Sequence, residues 1–179
     1  MSKRIRLWLI AALALCAAAA VGVTLSFMFK KAEKTTTFVP AKVTCEVKES
    51  LLSGVKSDVC VKNTGNAAAY LRIRLVSYYV DNDNSIAGRV PSQYPTLTLR
   101  NGWIAGADHT YYYPTPVEPG AETGILCDPI TLGTVELADG TPVYQVLEVF
   151  AEAIQAEPVG AVQEAWKVTV SDTEITAVP

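Results

Sequence analysis

The chain has 179 residues, half of them apolar and 18% charged, which excludes a disordered polyelectrolyte tail. Residues 1–31 carry five basic residues (Lys3, Arg4, Arg6, Lys30 and Lys31) and no acid, whereas the rest carries ten basic residues and all 18 acids. That acidic body has no Lys/Arg cluster, so nucleic acid is excluded as a partner, because binding it depends on neutralising phosphates with a basic face.

From Leu7 to Phe29 no residue is charged. As a helix, this run would reach about 34 Å at ~1.5 Å per residue, enough for a hydrocarbon core of ~30 Å. Lys3, Arg4 and Arg6 precede it and would stay cytoplasmic, sending the body outside. Residues 1–29 therefore read as an N-terminal hydrophobic helix with two open fates. One is a signal peptide, cut after Ala19, Ala20 or Ser26; the other is a retained membrane anchor. The expected location is extracytoplasmic, with the membrane contacted through Leu7 to Phe29 at least before processing.

Residues 30–41 are polar and Thr-rich and end near Pro40, the composition of a tether or edge segment. From residue 42 to 179 the pattern has period two, which predicts half-buried antiparallel strands. In Lys42–Lys48, Val43, Cys45 and Val47 share one face. In Ser57–Lys62, Val59 and Val61 face in, and Asp58, Cys60 and Lys62 face out. Asn63-Thr64-Gly65-Asn66 is a turn. Tyr70–Val80 is the strongest strand, with Leu71, Ile73 and Leu75 alternating with Arg72 and Arg74. Shorter strands are expected at Thr96–Arg100, Thr110–Tyr113, Gly124–Cys127 and Val135–Leu137, with a hairpin turn at Asp139-Gly140. Val143–Ala156 is read as a strand despite helix-compatible composition. Val159–Ala165 forms one or two helical turns, and Trp166–Val170 is the final strand. Many short strands separated by turn signals predict an all-β, jelly-roll-like antiparallel β-sandwich.

Chemistry is sparse. His109 is the single histidine, and no G-x-S-x-G elbow or H-E-x-x-H helix is present, so no catalytic residue is assigned and an enzyme is not expected. Cys45, Cys60 and Cys127 lack the close spacing of zinc ligands. Alternation turns Cys45 and Cys60 to opposite faces, which makes a direct bridge awkward. Asp81 and Asp83 place oxygens at alternate positions, as calcium loops do, but Ile86 and Ser92 stand where an EF-hand loop has Gly and Glu; a plain polar loop is the simpler reading, and no cofactor is expected. Trp103, Tyr111, Tyr112 and Tyr113 are candidates for an aromatic contact strip toward a ligand such as glycan, or for ordinary packing.

The order of several weak motifs resembles the camelysin/TasA type of bacterial surface proteins. These are Gly22-Val23-Thr24-Leu25-Ser26-Phe27 closing the apolar run, Thr37-Phe38, Asn63-Thr64-Gly65, Ala69-Tyr70-Leu71-Arg72, Gly102-Trp103, Tyr111 to Tyr113, Pro119-Gly120, Ala153-Ile154-Gln155 and Ala165-Trp166. The resemblance implies a SipW-type signal segment and a jelly-roll-like domain at the cell surface. It also implies that some members build biofilm-matrix fibres by lending a strand to the next subunit. On that reading the partner is another copy or another surface protein. Thr35–Lys42 is the β-prone segment to lend, with Phe38, Val39 and Val43 as its apolar contacts. A membrane-anchored monomeric binding module is the competing expectation.

Overall fold

The computed structural model describes residues 40–179 apart from Arg89. Within them, one compact unit spans Ala41–Pro179. The proposed leader Leu7–Phe29 and the candidates Phe38 and Val39 lie outside the described residues.

Ten strands and one helix follow in order: β1 (Cys45–Leu52), β2 (Val55–Asn63), β3 (Ala69–Val80), β4 (Ile104–Ala105), β5 (Thr110–Tyr112), β6 (Ile130–Thr131), β7 (Thr134–Glu136), β8 (Pro142–Gln155), α1 (Val159–Trp166), β9 (Thr169–Ser171) and β10 (Glu174–Ala177). They form antiparallel sheets of order β1-β2-β6, β4-β5-β3-β8-β7 and β9-β10. The all-β reading holds. The long pairing of β3 with β8, from Ala69 opposite Gln155 to Val80 opposite Tyr144, is the spine of the larger sheet. The ambiguous stretch beginning near Val143 is thus a strand, because its Val143, Gln145 and Leu147 alternate into the same core as Leu71, Ile73 and Leu75.

Two sheets meet across that core. Val59 and Val61 of β2 pack with Ala69, Leu71, Ile73 and Leu75 of β3 and Leu147 of β8, and Trp103, Val117 and Leu126 fill the remaining space. A second cluster lies at one end of the larger sheet, where Val162 and Trp166 of α1 cover Tyr70 and Tyr112 together with Val168 and Ile175.

The structure corrects several expectations. β1 starts at Cys45 and runs on to Leu52, because Val55–Cys60 gives residues 48–52 a pairing partner across the Ser53-Gly54 turn. Asp58 has φ 57°, and the register slips by one residue there, with Lys48 opposite Cys60 but Ser50 opposite Ser57. A bulge of this kind flips which face each side chain takes. Lys56 is turned inward and is 5% exposed, with its Nζ 2.6 Å from Glu49 Oε1. Cys60 keeps the face opposite Val59 and Val61, as expected, but is covered there and not open to solvent.

Thr96–Arg100 and Gly124–Cys127 are not strands. They meet only at the isolated bridge of Leu99 with Cys127, because Pro95, Pro129 and Gly124 interrupt the ladder around them. Trp166 ends the helix and does not start a strand. Lys167 takes a left-handed conformation (φ 56°) and the last strand follows a further reversal at Asp172-Thr173.

The Asn63 turn ties the layers together. Asn63 is fully buried, and its Nδ2 donates to the Ala67 and Val117 carbonyls at 2.8 Å each, while its Oδ1 accepts from the Gly65 amide. Gly65 is required here by space, since a Cβ would collide with the Lys42 carbonyl oxygen.

Candidate functional site

β1 is the outer strand of its sheet. Its hydrogen-bonding phase follows from the flanking ladder. The Thr64 amide donates to the Thr44 carbonyl and the Asn66 amide to the Lys42 carbonyl. Antiparallel ladders alternate, so Lys42, Thr44, Glu46 and Lys48 bond inward to β2, and the N–H and C=O groups of Val43, Cys45 and Val47 point to the open edge. The opposite side of β2 is occupied by residues 121–126, whose Thr123 and Leu126 amides donate to Val61 and Val59. Among the described residues no strand pairs with this edge, which is a row of backbone groups on a strand whose Val43 and Cys45 side chains pack against the core. Glu46, Lys48 and Glu49 punctuate it with charge, a device that discourages indiscriminate pairing.

The sequence-derived candidates fall in different places. Val43 was expected to be a contact carried by the lent segment. Instead it is docked in its own fold, because residues 42–44 are laddered to 64–66 and its side chain packs against the core. Trp103 is 5% exposed and Tyr112 is 2% exposed, so they are not available to a ligand. Trp103 Nε1 donates to the Gly124 carbonyl at 2.9 Å, and its ring meets Tyr113 edge-on with centroids 5.3 Å apart. Tyr112 packs edge-on against Trp166, and Tyr111 and Tyr113 are half-buried against the main core. The aromatic strip is therefore packing: the apolar ring faces are taken up by the two clusters.

Asp81 Oδ1 accepts from the Asp83 and Ser85 amides at 2.9 Å each, so this carboxylate closes its own loop. Among the described residues no group of three or more His, Cys, Asp or Glu side chains is placed to hold a metal ion. Cys45, Cys60 and Cys127 are free thiols, and burial first, with a neighbouring carboxylate second, pushes all three above their usual range. His109 is exposed, with its ring stacked on Tyr94.

A cleft of about 290 Å³ on the outer face of the larger sheet had no sequence signal beyond the alternation of Arg72 and Arg74 with apolar neighbours. Arg72 is held there from three sides. Its Nε and Nη2 donate to Glu152 Oε2 at 2.9 and 2.5 Å, its Nη1 lies 3.4 Å from Tyr112 Oη, and its guanidinium sits 4.7 Å over the Trp166 ring. Glu152 stands directly opposite Arg72 in the β3–β8 register, which is what brings the two together.

In comparisons with known proteins, no family model, curated protein or solved structure matches this chain.

Proposed function

We propose that the chain is an exported cell-surface structural protein of jelly-roll-like form, a biofilm-matrix or surface-fibre subunit that assembles by strand addition and has no enzymatic role. The observation that carries this reading is the open edge of β1, with the backbone groups of Val43, Cys45 and Val47 directed outward. An extended segment from another copy can bond to such an edge, with main-chain hydrogen bonds supplying affinity. The β-prone residues Thr35–Lys42 end shortly before β1, with Lys42 itself laddered to Asn66, and Phe38 and Val39 give the part ahead of it an apolar content suited to the task. The uncharged run Leu7–Phe29, preceded by three basic residues, supports an extracytoplasmic location, as an anchored or a processed form. The motif order shared with camelysin/TasA-type proteins supports the same assignment.

The contact is heterologous, one chain's leading segment against another chain's edge, and contacts of that type propagate into filaments unless a ring closes. Deleting residues 35–40 tests it. The expected result is a folded protein that no longer forms fibres by electron microscopy, and unchanged fibres would overturn the proposal.

A further inference from the structure

The cleft around Arg72 lies on the outer face of the central strands β3 and β5 and is lined by Arg72, Arg74, Asp108, Thr110, Tyr112 and Glu152, among others. We propose that it is a binding subsite for a carboxylate-bearing sugar unit of an acidic polysaccharide.

Three features argue for this ligand. The first is charge inside an acidic body. Arg72 is neutralised by Glu152. Arg74 is two residues along on the same outward face and exposed, and among the described residues it makes no ion pair. A guanidinium in that state offers a forked pair of donors to a carboxylate.

The second is preorganisation. Arg72 is fixed by Glu152, Tyr112 and the Trp166 ring, and Thr110 stands directly opposite Arg74 in the β3–β5 register. Arg72 is thus fixed on paired strands before a ligand arrives, and the backbone that carries Arg74 is fixed with it, which limits the ordering cost to the Arg74 side chain.

The third is the mixture and size of the lining. The hydroxyl of Thr110 and the carboxylate of Asp108 suit the hydroxyls of a sugar ring, which both donate and accept. At about 290 Å³ the cleft is at the small end for ligand pockets, which fits one ring of a polymer that continues into solvent.

The proposal stands apart from strand addition, since it involves the outer face of the larger sheet and not the edge of β1. Isothermal titration of the detergent-solubilised full chain at low ionic strength tests it. The titrants are a short oligomer of galacturonic acid, a neutral glucose oligomer and a glycerol-phosphate oligomer. Binding of the uronate oligomer alone is expected, weakened by salt because Arg74 is exposed. Arg74→Ala, a change at an exposed position, should lower the affinity at least roughly tenfold. Arg74→Lys should recover only part of it, because an ammonium lacks the fork. Lys48→Ala should bind as the parent does. Absence of heat with the uronate oligomer, equal binding of the neutral oligomer, a preference for the glycerol-phosphate oligomer, or full affinity in Arg74→Ala would each overturn the assignment.

Discussion

Asn63 Nδ2 lies 2.8 Å from the Val117 carbonyl oxygen, a bond between residues 54 apart in sequence that joins the end of β2 to the segment alongside β3. The Val117 amide and carbonyl also pair with Ala69, and the Asn63 amide and carbonyl pair with Ala121 and Gly120. One buried amide side chain therefore holds the turn that sets the geometry of the β1 edge. Asn63→Leu removes its donors and leaves the Ala67 and Val117 carbonyls without this partner. It should destabilise the protein by about 2 to 4 kcal/mol, measured by urea unfolding.

Lys56, which is buried, forms an ion pair with the more exposed Glu49, with side-chain exposures of 6% and 34%. Removing one partner strands a charge, whereas replacing the buried partner with an apolar chain removes the problem. Glu49→Gln is expected to lower stability by about 2 kcal/mol, reduced from the figure for a fully buried pair because Glu49 keeps solvent contact. Lys56→Met is expected to be neutral or mildly stabilising. The two midpoints by thermal unfolding check this opposition of sign.

Trp103 separates a packing residue from a ligand contact. Trp103→Ala should remove about 3 to 5 kcal/mol of stability through cavity formation and loss of the bond to Gly124. A ligand-contact role would instead leave the unfolding midpoint near that of the parent.

The thiols make the protein sensitive to alkali. Burial raises the Cys45, Cys60 and Cys127 thiols above the usual 9.0. Above pH 9.0 the unfolded chain releases these protons while the folded chain keeps them, so the unfolded state is favoured as pH rises. Stability should be flat through neutral pH in this respect and fall above about pH 9. Replacing Cys127 with Ala should shallow that fall. Alkylation by iodoacetamide in native buffer should be slow at these positions and rapid in urea.

Strong alternation made the large elements legible: β3 and β8 follow from Leu71, Ile73 and Leu75 and from Val143 and Leu147, and the helix near Val159 was expected within a residue of its end. What period two cannot carry is a change of phase. The bulge at Asp58 turned Lys56 inward, and no local signal marks it, while Cys60 is covered on the face opposite Val59 and Val61. Short apolar runs such as Gly124–Cys127 have strand composition but gain only one bridge, because pairing partners are set by the tertiary fold. The edge site was half legible. The residues before β1 read as an edge segment, but the outward phase of Val43, Cys45 and Val47 required the Thr44–Thr64 ladder. The Arg72 cleft depends on Glu152 and Trp166, 80 and 94 positions along the chain, so it was not readable at all.

The most direct measurement is electron microscopy of the full chain beside Val47→Pro. Proline at position 47 removes an amide that points to the open edge and leaves the β1–β2 bonds of Glu46 and Lys48 in place. The account predicts fibres from the parent and a folded, unassembled variant with an unchanged β-sheet circular dichroism spectrum. Fibres of equal length and number from Val47→Pro, or none from the parent after export, would contradict it.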